Sequence, residues 1–507
     1  MRLRVLLVVI GVSVAFLVAA DTSASTLRGP LVTVVQTDGH LGEEMVTLTP
    51  LALRSETGAG IETGRGRGRG HGHGGAGTIR VNLGEAGGTL WGVGAAVTDS
   101  SAYLIHELPG PERTRLLTRL YGRAGLGLSF GAIPIGASDY SASGHPYTYD
   151  DLPVGQVDPT LAHFSIRHDD SWDLPVLEQI AQIQPEIRFF AATWTAPPWM
   201  KANDRFNDLK FGGSLLPRYY GAFARYLVDW LRAYATRGLR IAALAPENEP
   251  NSPSSVPAMY LPLEAQETFI AGYLAPALGA SHLSTHIFGG DVGMPRGEEQ
   301  EALVESSAGR DLGGLAWHCY SAPPTRLAVL ARLAPGLGQI ISECAEKLSR
   351  VPLAVDVLGA LSNGASAFSA WNLALTPAGG PVQDPNRGCA GCRGLVAIDP
   401  RTHRYSLSQE AYVLGQVGHF VSPGAVRLAT SDEPTWYSKG SVFGLEPNSG
   451  ILNVAYRNPG GQLALITYNP SPQAKTVHIS DGSEHFTATL PPGATTTFSW
   501  APPRGGS

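Results

Sequence analysis

The sequence predicts an α/β protein: a (β/α)8 TIM barrel with a flanking antiparallel β-sandwich, formed by the C-terminal region plus an N-terminal strand. Three observations predict it. Eight short apolar runs alternate with helical patterns between about residues 89 and 372. Beyond about residue 422 the helical period fades, and short alternating segments sit between Gly, Pro and Asn turns. A further strand-like run lies near the N-terminus, before the first barrel run, at 31–35. One economical arrangement joins that strand to the C-terminal sheet and inserts the barrel between them. On pattern alone, the main rival is a doubly wound sheet.

Residues 1–25 read as a secretory signal. Arg2 and Arg4 give a charged start, 5–20 is an apolar run, and small residues follow as cleavage candidates. A retained anchor is the alternative, because the run is nearly long enough to span. No other segment approaches spanning length, so no stable membrane span is expected once the signal is removed. Residues 26–63 are assigned to the N-terminal strand segment, and 64–77, built around GRGRGRGHGHGG, to a linker that has no apolar surface to bury. The barrel is expected over 78–421. Its runs are 90–97, 128–135, 187–194, 241–246, 286–290, 315–320, 339–342 and 365–371. The clearest helix carries Tyr219, Tyr220, Phe223, Tyr226, Leu227, Trp230, Leu231 and Tyr234 on one face, and Gly238 ends it. The sandwich is expected over 422–507, with strands at 451–456, 463–468, 475–479 and 495–500.

Composition narrows the class. With 43% hydrophobic and 16% charged residues, the 507-residue chain has ample core and is not disordered. A net charge of −6 leaves no electrostatic footprint for nucleic acid. There are 4 cysteines. Cys389 and Cys392 are expected to form a local disulfide; a zinc site would need a second ligand pair, and none has the spacing. Cys319 and Cys344 are expected as buried free thiols.

Barrel enzymes do their chemistry where strands end. The fourth run ends in Pro246-Glu247-Asn248-Glu249-Pro250, and the seventh in Ser342-Glu343-Cys344. Glu249 and Glu343 are 94 residues apart, or about 31 per βα unit over three units. Two facing carboxyls suit glycoside hydrolysis, one protonated to assist the leaving oxygen and the other attacking as an anion. Rim acids also form structural salt bridges, and Glu247 and Glu346 are chemical rivals.

Six segments carry a resemblance: WGVGAAVTDSSA at 91–102, IPIGASDYS at 133–141, TWTAPPWMKAN at 193–203, ENEP at 247–250, SECAEK at 342–347 and WNLALTPAGGP at 371–381. In these the chain resembles family 30 of the glycoside hydrolases, the group that includes glucosylceramidases. The resemblance runs from about Trp91 to Leu428 and resumes near the C-terminus. It implies the same barrel and sandwich. It makes Glu249 the general acid/base and Glu343 the nucleophile. It implies a substrate-binding set of Asp99, Trp194, Asn248, Tyr320 and Trp371, with Asn248 bonding the sugar 2-hydroxyl and Tyr320 orienting the nucleophile. His318 reads equally as a structural residue or a substrate contact. Asp139 and Asp291 end the second and fifth runs and are not selected. The chain departs from the family pattern at Ala132, where Arg is usual, and in the Cys389–Cys392 loop.

The expected protein is a secreted retaining β-glycosidase acting by double displacement, with a β-glycoside glycan or glycolipid as its partner and no metal or organic cofactor. A β-glucosidase or glucosylceramidase-like activity comes first. An endo-β-1,6-glucanase or β-xylosidase is the alternative within the class, and a noncatalytic carbohydrate-binding protein the alternative outside it.

Overall fold

The computed structural model describes residues 30–39, 43–55, 77–439, 442–446 and 449–502. The expected signal and the glycine-rich tract at 64–75 lie outside the described residues. Among the described residues, no helix is long and apolar enough to cross a membrane.

Eight parallel strands close into a barrel in chain order: β1 (Gly92–Ala95), β2 (Phe130–Ile135), β3 (Arg188–Thr193), β4 (Ile241–Ala245), β5 (His286–Gly293), β6 (Leu312–His318), β7 (Gly338–Glu343) and β8 (Ala367–Ala370). All eight expected runs are present. They read as continuous apolar stretches because both faces of a parallel barrel strand are covered. The two-residue period sorts the side chains. On β3, Phe189 and Ala191 face the surrounding helices, while Phe190 and Ala192 fill the barrel interior. There the large Phe130, Phe190 and Phe288 pack with the small Ala243, Ala316 and Ala367. Gly94 is required where β1 crosses β2, since a Cβ there would run into the Phe130 carbonyl oxygen.

The expected amphipathic helix forms at Tyr220–Thr236, with ten buried residues on its inner face. Gly238 takes φ +78° just beyond it, and the Leu239 N–H closes the end on the Tyr234 carbonyl at 3.1 Å.

The second module is one ribbon of eleven strands folded over its own core. The strand Leu31–Asp38 pairs antiparallel with Thr495–Trp500, and its Val32 and Val34 enter that core beside Phe498 and Trp500. One expectation is corrected. The barrel does not begin at residue 78, because Gly77–Thr89 is a long strand of the ribbon, pairing with Val426–Thr430 on one side and Lys475–Ser480 on the other.

The modules share a wall. On strands Leu452–Arg457 and Leu463–Tyr468, Val454, Tyr456, Ala464 and Ile466 pack against the barrel's outer cluster, while Ala455, Leu463 and Leu465 face the sandwich core. The helix Leu353–Ser362, which follows β7, lies directly on these two strands.

Candidate active site

Glu343 is the last residue of β7 and His318 the last of β6, so chain order alone places them on neighbouring strand ends. Glu249 stands four residues beyond β4 on a turn sewn to both flanking strands. The Asn248 N–H donates to the Thr193 carbonyl at 2.7 Å, and the Glu249 N–H to the Asp291 carbonyl at 3.0 Å. Glu249 itself adopts φ +48°, a left-handed conformation costing an L-residue about 1–3 kcal/mol, and the surrounding bonds hold it there.

These three side chains converge. His318 Nδ1 lies 3.1 Å from Glu249 Oε1 and 3.7 Å from Glu343 Oε1. The two carboxylate oxygens are therefore within about 7 Å of each other, a bound that contains the roughly 5–5.5 Å needed for covalent capture of a sugar. The Tyr320 hydroxyl donates to Glu343 Oε1 at 2.8 Å. On the far side of the imidazole, His318 Nε2 faces Asp291 Oδ1 at 3.5 Å, and the Ser342 hydroxyl donates to that same oxygen at 2.5 Å.

A cavity of about 220 Å³ opens over the pair, lined among others by Asp139, Trp194, Asn248, Glu249, Tyr320, Glu343 and Trp371. The Trp194 and Trp371 rings are stacked, with centroids 5.5 Å apart and planes 17° apart. Thus the structure brings six of the seven expected residues to one place. Asp99 is the exception and does not line this cavity. Asp99 begins the helix Asp99–His106, and its carboxylate is occupied. Oδ1 accepts the Trp172 indole N–H at 2.7 Å and faces His168 Nε2 at 2.9 Å, while Oδ2 accepts the Ala142 N–H at 2.6 Å. Those bonds tie the helix to the loop after β2.

Asp139, not selected from the sequence, does line the cavity. Its Oδ2 accepts the Cys389 N–H at 2.8 Å, while its buried Oδ1 has no protein partner. Gly388, at φ +60°, lets the loop come this close, since a Cβ there would collide with the carboxylate. A usable signal was present: Asp139 follows the end of β2 by four residues, the spacing of Glu249 after β4. His318, left open by the sequence, is the group on which the carboxylates meet.

The rivals are separated from the pair. Glu247 is buried elsewhere, its Oε1 accepting the Met259 N–H at 3.0 Å, with the charge of Lys201 acting on it. Glu346 lines a different cleft of about 540 Å³ together with Glu410, and Trp371 lines both.

Electrostatics couple the site. Burial opposes a charge on His318, but Glu343, Asp291 and Glu249 outweigh it and hold the imidazole well above its ordinary value. Burial pushes the Glu343 carboxyl up to about 8; the charges of Glu249 and Asp139 add to this, and His318 and Tyr320 oppose it. Burial also acts on Glu249, but the hydrogen bond and charge of His318, with Arg296 and Ser252, bring it below the usual carboxylate range. Burial lifts Asp139 to about 7, against the main-chain bond from Cys389.

Both cysteine pairs are disulfides. Cys389–Cys392 forms as expected. Cys319 and Cys344 are not free thiols: their sulfurs are bonded at 2.10 Å, with Cα atoms 5.2 Å apart. They follow His318 and Glu343 directly, so adjacent strand ends deliver them to each other. Among the described residues, none of the three groups of potential metal ligands includes a residue of this cavity.

A barrel with two carboxylates meeting under paired tryptophans at its C-terminal rim defines a glycoside hydrolase. Comparison with known proteins gives the family. Residues 90–330 match the glycosyl hydrolase family 30 TIM-barrel domain, and residues 424–498 match that family's β-sandwich domain. The chain is 32% identical over 390 residues to an endo-1,6-beta-D-glucanase of Neurospora crassa, covering 75% of this chain and 80% of the relative. It is 28% identical to the lysosomal acid glucosylceramidase of Mus musculus, covering 81% and 80%. Among solved structures, the endo-beta1,6-glucanase BT3312 superposes with a TM-score of 0.77 at 26% identity, covering 93% of this chain and 100% of that one. The chain belongs to glycoside hydrolase family 30.

Proposed function

We propose that the protein is a secreted, retaining β-glycosidase that cleaves β-1,6-linked glucan. The observation that carries the mechanism is the approach of Glu249 and Glu343 to the same nitrogen of His318 beneath one cavity. Glu343 attacks the anomeric carbon. The bond to the leaving oxygen breaks as Glu249 gives that oxygen its proton, leaving a glycosyl ester on Glu343. Water then attacks the same carbon, Glu249 takes the water's proton, and the ester bond breaks to release sugar of retained β configuration.

The pair needs one proton, and it must sit on Glu249 when the leaving group departs. Burial alone favours that proton on Glu343. A bound sugar changes the balance, because positive charge growing at the anomeric carbon stabilises an ionised Glu343. Tyr320 holds that carboxylate toward the sugar. The free Oδ1 of Asp139 accepts from ring hydroxyls, and Asn248 bonds the 2-hydroxyl. The tryptophan pair covers the sugar's apolar face.

Sequence reasoning alone places glucosylceramidase-like activity first. Two observations favour the glucanase. The endo-1,6-beta-D-glucanase relative is the more similar of the two curated proteins compared. The 540 Å³ cleft next to the cavity shares Trp371 with it, extending room beyond one sugar. The signal-like first residues and two disulfides support export. The test is a substrate panel of β-1,6-glucan, glucosylceramide, a β-xyloside and a chromogenic β-glucoside, with proton NMR of the first-formed anomer. Preferred cleavage of the glucan to β-anomeric product is expected. Preference for glucosylceramide overturns the substrate, an α-anomer overturns the mechanism, and inertness on all four leaves a binding protein.

A further inference from the structure

Between β2 and the helix Asp173–Ile183, residues 136–172 run without helix or strand. So long an irregular loop in a compact domain needs something other than ladder hydrogen bonds to fix it. Within it, Asp150 is 1% exposed, and both of its carboxylate oxygens are buried without a hydrogen-bond partner. The nearby Trp199 indole N–H donates to the Asp150 main-chain carbonyl at 3.1 Å. Asp158, eight residues on, is also buried; its Oδ2 accepts the His163 N–H at 2.8 Å and faces His163 Nδ1 at 2.9 Å, and its Oδ1 accepts the Thr160 hydroxyl at 2.8 Å. One ligand atom from each of Asp150, Asp158 and His163 lies within 4.8 Å of the other two.

We propose that Asp150, Asp158 and His163 form a binding site for a divalent cation, specifically zinc. Two buried carboxylates side by side repel, and an unpaired one is costly to desolvate. An imidazole among them selects a metal that accepts nitrogen as well as oxygen. Ligands about 2.0–2.2 Å from zinc sit about 3.3 Å apart in a tetrahedron, so the trio closes on the ion by a modest rotation. His163 is the group free to make it, being largely exposed, and it also gives the ion a way in. A water completes the fourth position.

The site belongs to the loop rather than to the reaction. It stands apart from the catalytic cavity, although the same loop carries Asp139.

The test is calorimetric titration of zinc chloride into chelator-treated full-length protein, paired with thermal unfolding. His71 and His73 offer a competing ligand pair in the glycine-rich tract, so both are replaced by Ala in the background protein. One zinc per chain is expected, with Tm rising about 2–3 °C at 100-fold excess over Kd. Asp150→Asn should weaken binding at least 10-fold and abolish the Tm shift. That variant removes a buried charge and is expected to fold without metal, so its loss of binding reads as loss of a ligand. His163→Ala should weaken binding too. Absence of a stoichiometric site, unchanged binding in Asp150→Asn, or binding of calcium in preference to zinc would each overturn the proposal.

Discussion

At the scale of single residues, the proposed mechanism makes the site a shared-proton device, and its variants should behave accordingly. Glu343→Gln keeps the shape of the side chain and removes the charge proposed to attack. Turnover should fall on the order of 10³-fold or more while the circular dichroism spectrum stays unchanged. Stability carries its own signature. Because Glu343 is raised when folded, the wild type loses stability as pH rises from the unfolded carboxyl value through about 8, and the Gln variant should not. Urea unfolding at pH 5 and pH 8.5 compares the two slopes. The kcat/KM profile should be bell-shaped. Its alkaline limb near pH 8 marks departure of the one proton the pair needs, and its acid limb below the ordinary carboxylate range marks a second proton binding to the pair. Asp139→Ala should lower kcat/KM by roughly 10- to 100-fold through a lost charged hydrogen bond, whereas Asp99→Asn should act on Tm first. Equal kinetic effects of the two substitutions would show that neither assignment separates binding from folding.

At the scale of elements, strand ends do the positioning. Thr98 shows how tightly they are tied: it caps the helix Asp99–His106 by accepting the Ser101 N–H at 3.3 Å, and its hydroxyl donates to Asn372 at 2.6 Å, just past β8. Thr98→Ala should cost about 1–2 kcal/mol in chemical denaturation. The barrel strands were legible because burial on both faces leaves unbroken apolar runs. Gly77–Thr89 was not, since its second half is largely exposed and carries Gly84, Gly87 and Gly88, which read as turn. Glu249 and Glu343 were legible as acids at or shortly beyond the ends of apolar runs. The presence of Asp139 in the cavity was not, because both acids lie in motifs near strand ends and only the folded loop shows Asp99 bonded to Trp172 and His168 while Asp139 lines the cavity. The Cys319–Cys344 bond was hidden by its separation of 25 residues, although both cysteines directly follow the ends of adjacent strands.

At the scale of the whole molecule, the ribbon module and the barrel are one folding unit in energetic terms, since strands such as Leu452–Arg457 are buried on both sides. Deleting the chain through residue 38 removes Val32 and Val34 from the ribbon core and exposes the edge of Thr495–Trp500. The two valines alone represent roughly 3–6 kcal/mol of burial, so the truncated protein should unfold at markedly lower urea and lose activity in parallel. Retained stability would show that the strand is an ornament on the sheet. The bond between Cys319 and Cys344 reaches furthest in practice. It staples the two strand ends that present His318 and Glu343, so material produced where thiols stay reduced carries the same residues on a rim left unlaced. Specific activity should then vary between oxidised and reduced batches at equal enzyme concentration.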